Sequence, residues 1–142
     1  MKRLPDYLRP GLDLVFTGIN PGMRSAAAGH HYAGPGNHFW PLLHESGLVS
    51  ERLTAADDAR VLEWNIGLTN MVERASPGIA DLTLDELRAG AARLRAKLLR
   101  YRPRVVCFNG MKIYEVFASH AVAPGRQPER IGASIVYVMP ST

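Results

Sequence analysis

Residues Leu12 to Gly22 read LDLVFTGINPG, an apolar run that breaks into glycine, isoleucine, asparagine, proline and glycine. The run Leu12 to Thr17 has the pattern of a buried strand, and the GINPG that follows has the pattern of a tight turn leaving its carboxyl end. Pro21 biases Asn20 away from helical dihedrals, while Gly18 and Gly22 let the backbone turn sharply and approach a ligand closely. The result is a carboxamide held at the lip of a sheet. An amide is neither a strong base nor a nucleophile, but it can accept from a water and donate to it, fixing a lone pair toward a reacting carbon. The competing reading is a turn or cap, the common task of asparagine in loops.

Working outward, three more segments read as strands: the weaker Ile66 to Asn70 (IGLTN), Arg104 to Phe108 (RVVCF) and Ile135 to Met139 (IVYVM). Between them run helical patterns. The best spans Leu84 to Tyr101, where Thr83 and Glu86 have capping-box spacing and Leu87, Ala91, Leu94, Leu98 and Tyr101 recur at helical intervals; Arg102-Pro103 ends it. Shorter helices are predicted after Asn109-Gly110, near Phe39 to Glu45 and over Thr54 to Glu63. This alternation predicts an α/β fold, three-layer α/β/α, with a short central sheet of four parallel strands. Right-handed crossovers then gather ligands beyond the carboxyl ends of the strands, so Asn20, Asn70, Asn109 and Ser141 fall on one rim.

At 142 residues the chain is read as one domain, and 46% hydrophobic with 21% charged residues is an ordinary globular composition. Net charge of +4 favours polyanionic partners. The lone cysteine, Cys107, lies in an apolar run, which excludes a disulfide framework or thiolate metal cluster within the chain and points to a reducing, cytoplasmic setting. No apolar stretch approaches the roughly 20 residues of a membrane span, and no signal core opens the sequence.

Residues Arg24 to Trp40, RSAAAGHHYAGPGNHFW, read as a long Gly-rich functional loop. Tyr32 offers a face on which a base could stack, or a plug for the core edge. Asn70 could read the carbonyl and imino edge of a pyrimidine, or cap a turn. The histidines lack metal-ligand spacing, and no phosphate-binding glycine motif or nucleophile elbow occurs, so metal, nucleotide and covalent chemistry lose ground. Between Arg88 and Arg104 lie seven Arg or Lys and no acid; the simpler reading is a solvated helix face, the other a phosphate contact.

The ordered blocks GINPG, GHHYAGPGNHFW, GLTNMVERASPG, YRPRVVCFNGMKIYEVF and VMPS closely resemble the mismatch-specific uracil/thymine DNA glycosylases, over about Leu12 to Thr142. The resemblance implies a uracil-DNA-glycosylase fold that uses no metal or cofactor and hydrolyses the bond between deoxyribose and a flipped pyrimidine. It implies Asn20 as the residue that positions water, Tyr32 as the stacking aromatic, Asn70 and Ser76 as base-pocket residues, Ser25 in the same pocket, and Gly18 and Ile19 as shapers of the loop. In that family the MPS block leads into a wedge loop and a last helix; the sequence ends at Thr142, so Ser141 and Thr142 stand for the DNA-contacting end, and residues 1–142 are expected to form a single glycosylase domain without those parts. The implied partner is double-stranded DNA with a G·U or G·T mismatch, met by a monomer in the cytoplasm, at the nucleoid in a bacterium. Because an amide is a feeble base, uracil is the implied leaving group, with slow turnover and tolerance of modified pyrimidines; Asp13, Asp81 and Asp85 are the acids that could alter this. Two other readings stand beside it: a DNA-lesion binding module that does not cut, and a small nucleotide-binding α/β protein.

Overall fold

The computed structural model describes residues 4–142. In chain order the elements are β1 (Leu14–Gly18), α1 (Met23–Ala28), α2 (Phe39–Glu45), a 3-10 helix (Ala55–Trp64), β2 (Ile66–Asn70), a 3-10 turn (Ile79–Asp81), α3 (Leu84–Tyr101), β3 (Val105–Asn109), α4 (Met111–Ala118), β4 (Gly125–Arg126) and β5 (Ile135–Met139). The sheet order is β2-β1-β3-β5-β4. Strands β1, β2, β3 and β5 pair in parallel, as the alternation of runs and helices predicts. The expected count of four strands is corrected to five and the sheet is mixed: β4 joins antiparallel through Gly125 and Arg126 opposite Val138 and Tyr137. A two-residue strand held by its backbone has no side-chain period to detect.

Alternation along each central strand divides two cores. Val15, Val106, Phe108, Val136 and Val138 pack with Leu94, Leu98, Ile113 and Phe117 beneath α3 and α4. Phe16, Leu68 and Cys107 face the other way, onto Phe39, Trp40, Leu43 and Val61. Helices therefore cover both faces, as expected of a parallel sheet. Burial pushes the Cys107 thiol up to about 11, so it is an inert core group rather than a nucleophile.

The capping box of α3 is formed: Thr83 N donates to Glu86 Oε1 at 3.0 Å and Glu86 N to Thr83 Oγ1 at 3.1 Å. The helix expected over Thr54 to Glu63 is present with 3-10 winding, and at its start Thr54 donates through N and Oγ1 to Asp57 Oδ2. Within the stretch expected to be a loop, residues 24–40, α1 occupies the first part and stops at Gly29, which has φ of 75°. Six residues with no side-chain cap give too little periodicity to separate a helix from a loop. Of the seven cations between Arg88 and Arg104, Lys97 pairs with Asp6 at 2.6 Å and Arg95 lies 4.4 Å over the Phe117 ring. The others are exposed.

Helix α3 also presses on the loop after β2. A Cβ at Gly90 would lie 2.5 Å from the Met71 carbonyl oxygen and 2.9 Å from a Val72 methyl. Gly90→Ala therefore sets about 1 kcal/mol of helix propensity against about 1–3 kcal/mol of overpacking. The backbone contact wins, and Gly90→Ala is expected to lower Tm by roughly 2–8 °C. Thermal unfolding followed by circular dichroism checks this; a higher Tm would show that the helix can move away.

Candidate active site

Strands β1 and β2 run in register to their ends, with Gly18 opposite Asn70. The pairing continues into the loops: Met71 N donates to Gly18 O at 2.9 Å, Val72 N to Ile19 O at 2.7 Å and Ser76 N to Pro21 O at 3.2 Å. GINPG is thus strapped to residues 71–76. The strap fixes Asn20, whose Nδ2 donates to Arg74 O and to Ser76 Oγ, each at 2.8 Å. Both amide protons are used. Ser76 Oγ passes its own proton to Gly78 O at 2.7 Å. The Arg74 carbonyl is held in turn, because its guanidinium grips Glu86 at 2.7 and 2.9 Å and Asp81 O at 2.7 Å. That grip, aided by the Thr83 N–H, holds the Glu86 carboxyl down to about 2. Among the described residues no protein donor meets Asn20 Oδ1, so the free end of this amide is an acceptor.

Asn20 lines a cavity of about 480 Å³ at the carboxyl ends of the strands, together with Gly18, Ile19, Ser25, Tyr32, Asn70, Asn109, Ser141 and Thr142. Gly18 is needed for close approach: a Cβ there would sit 2.6 Å from Asn70 Oδ1 and 3.5 Å from the Tyr32 hydroxyl. At the far wall Asn109 clamps the end of β5's extension, its Nδ2 donating to Thr142 Oγ1 at 3.0 Å and its Oδ1 accepting from Thr142 N at 3.1 Å. Thr142 Oγ1 donates on to Asn37 Oδ1 at 3.0 Å.

Tyr32 sits in the left-handed region with φ of 54°, a conformation costing about 1–2 kcal/mol in a residue with a side chain. Its ring stacks on Phe39 with centroids 4.0 Å apart and planes 20° from parallel. Burial pushes its hydroxyl up to about 12 against the opposing effect of a hydrogen bond to Asn109, so the phenol is neutral at physiological pH. The preceding residue is anchored from three sides. His31 N donates to Asp58 Oδ2 at 2.8 Å, its ring Nε2 lies 2.8 Å from Pro5 O, and its carbonyl accepts from Trp40 Nε1 at 3.1 Å.

The sequence matches the family model described as "Uracil DNA glycosylase superfamily" over residues 5–142. The chain belongs to that superfamily. Its fold is also that of a candidate uracil DNA glycosylase from Methanosarcina acetivorans solved in solution by NMR, at TM-score 0.61 and 19% identity over 99% of this chain and 83% of that one. At that identity the likeness speaks for the fold alone.

Within this superfamily fold, eight of the residues singled out in the sequence, Gly18, Ile19, Asn20, Ser25, Tyr32, Asn70, Ser141 and Thr142, line one cavity. The ninth, Ser76, is buried behind Asn20 and bonded to it, in a position to hold the amide rather than to line the pocket. Ser25 is buried, and its hydroxyl accepts from Ala33 N at 3.0 Å and so secures the turn before Ala33. No carboxylate lines the cavity among the described residues. Asp13 is exposed near Arg104, Asp81 Oδ2 accepts from Gly78 N at 3.1 Å, and Asp85 is exposed on α3. Sequence reasoning did not single out Asn37 or Asp58. The first lies within the GHHYAGPGNHFW block without being picked out of it, and the second is in an unremarkable acidic pair, Asp57-Asp58, that reads as a helix start.

Burial lowers the pKa of His31 below the usual histidine value, outweighing the hydrogen bond to Pro5. The unfolded chain therefore takes up this proton first, and the linkage sign follows: His31's contribution is complete above about pH 6.5 and shrinks as pH falls below it. Between pH 7 and pH 5 the Tm of the wild type should fall more steeply than that of His31→Gln, which keeps a donor for Pro5 O. Parallel slopes would contradict a neutral, buried imidazole.

Proposed function

We propose that this chain is a monofunctional DNA glycosylase that hydrolyses the N-glycosidic bond of uracil mispaired with guanine in double-stranded DNA, the first step of base excision repair, with thymine and modified pyrimidines as further substrates. The observation that carries the proposal is the orientation of Asn20: with both Nδ2 protons committed to Arg74 O and Ser76 Oγ, its Oδ1 is left to accept from a water. In this reading the pyrimidine leaves the stack and enters the cavity, where Tyr32 supplies the stacking face and Asn70 reads its edge. Ser141 and Thr142 meet the DNA beside it. The water, donating one proton to Asn20 Oδ1, directs its lone pair at C1′. The C1′–N1 bond breaks, the water oxygen bonds to C1′, and the base departs with the bonding pair while backbone N–H groups around Ile19 stabilise its charge. The released base and the excess proton leave to solvent. No metal or cofactor enters the scheme, and the enzyme acts as a monomer.

An amide positions water without taking its proton, so the leaving group's acidity governs the rate. That favours uracil over cytosine. A second reading is a lesion-binding module that does not cut, for which the lack of a carboxylate along the cavity among the described residues is the motivating observation.

Incubation with a U·G duplex and alkaline cleavage at abasic sites tests the activity directly. Asn20→Ala should lower the single-turnover rate about 100-fold or more, as expected when the reacting water loses its alignment, while DNA affinity in a gel-shift titration stays within about twofold. Retarded DNA with no strand scission by the wild type would favour the binding module. Equal losses of binding and rate in Asn20→Ala would remove the water-positioning role.

A further inference from the structure

Asp58 is 1% exposed and lies on the 3-10 helix, outside the cavity. It receives three donors. Oδ2 accepts from His31 N at 2.8 Å, and Oδ1 is 3.0 Å from His30 Nδ1 and accepts from the Tyr7 hydroxyl at 3.3 Å. Tyr7 is itself tied to β2, exchanging backbone hydrogen bonds with Leu68. Nothing in the water-directing chemistry uses this carboxylate, yet burying an unpaired charge is unfavourable enough that the surroundings must be organised around it. What is organised is the segment leading into Tyr32.

We infer that Asp58 is a positioning residue that holds Tyr32 in its left-handed, base-stacking conformation, by clamping His30 and His31 against the 3-10 helix. The argument is mechanical. Tyr32 has φ of 54°, which its side chain disfavours, so the segment needs outside restraint to stay there. The stacking contact with Phe39 restrains the ring. The backbone just before it is restrained by Asp58 through His31 N, by Pro5 O through the His31 ring and by Trp40 through the His31 carbonyl. Of these three groups Asp58 is the one that also engages the His30 side chain, so it fixes two consecutive residues at once, while His30 N donates to Ser25 O at 3.2 Å. Released from it, residues 30–32 can relax toward ordinary dihedrals and swing the tyrosine ring off the plane a flipped base would need.

This inference rests on the proposed glycosylase reading for its functional consequence, but not for its structural one, and the experiment separates the two. The first measurement is amide hydrogen exchange. In Asp58→Asn, which keeps one oxygen and nearly the same shape, and in His30→Ala, which removes one arm at a partly exposed site, protection of the His31 amide should fall at least tenfold while that of β1 and β3 amides is retained. Unchanged protection in both variants overturns the clamp whether or not the protein cuts DNA.

The second measurement is a double-mutant cycle on a U·G duplex. Asp58→Asn should raise the half-saturating enzyme concentration roughly tenfold, in the range expected for losing one base-stacking contact, with a smaller change in the single-turnover rate at saturation. Asp58→Asn combined with Tyr32→Ala should bind no worse than Tyr32→Ala alone, because both remove the same contact. A duplex carrying a tetrahydrofuran abasic site, which has no base to stack, should bind Asp58→Asn as tightly as the wild type. Additive losses, or an equal loss on the abasic duplex, would make Asp58 a general structural residue and overturn the inference. Loss of all excision by the wild type would instead count against the glycosylase reading and leave the exchange result to decide the clamp.

Discussion

The site depends on the parallel pairing of β1 with β2 being carried past the end of the sheet. Open α/β sheets bind ligands in a crevice outside the carboxyl ends of the strands, where loops rather than the ladder must hold the side chains. Here three backbone hydrogen bonds, from Met71, Val72 and Ser76 to Gly18, Ile19 and Pro21, keep the two loops parallel for several more residues. Everything specific about Asn20 follows, since both acceptors of its Nδ2 lie on the partner loop. The partner loop is in turn held from outside by α3, through Arg74 on Glu86 and the close approach of Gly90 to Met71. The chain of support thus runs from a helix cap, through a salt bridge, to one amide.

Much of this was legible because it depends on local rules. The period of α3, its Thr83–Glu86 cap and the strands Ile66–Asn70 and Ile135–Met139 coincide with the segments read from the sequence. The convergence of Asn20, Asn70, Asn109 and Ser141 on one cavity follows from topology alone. What was not legible involves either too few residues or too long a reach. Helix α1 is short, and β4 is two residues paired only through its backbone. Asp58 contacts His30 and His31 across 27 or more positions of sequence, and nothing in the pattern AADDAR distinguishes a buried acid from a first-turn one. Ser76, expected in the base pocket, illustrates the same limit from the other side. A motif says that a hydroxyl belongs near the site, but only the fold says whether it faces the cavity or the amide beside it.

Neutral polar groups line much of the cavity, beside the apolar Leu4, Ile19 and Met23 and the cation Arg24. Asn20, Asn37, Asn70, Asn109 and Thr142 provide amides and a hydroxyl, and Tyr32 is kept a neutral phenol by burial. Such groups can be desolvated at modest cost if their partners are satisfied, and among the described residues no fully buried side-chain donor or acceptor is left without one. Two nearby charged groups are turned elsewhere, Asp58 toward the histidine pair and Arg74 toward Glu86. The amides and hydroxyls of the lining offer both donors and acceptors to a ligand in the cavity.

The same frame selects asparagine over aspartate at position 20. One contact of its side chain is the Arg74 carbonyl oxygen, which can only accept, at 2.8 Å. A carboxylate there would oppose lone pairs with lone pairs, and would lose the bond that orients the group. The other contact, Ser76 Oγ, already donates to Gly78 O, so its proton is not available to a carboxylate without breaking that bond. An amide satisfies both acceptors with its two protons and presents one oxygen outward; a carboxylate would leave the carbonyl unpaired and would have to turn away. The amide at this position is a consequence of a backbone carbonyl placed where only an N–H can face it.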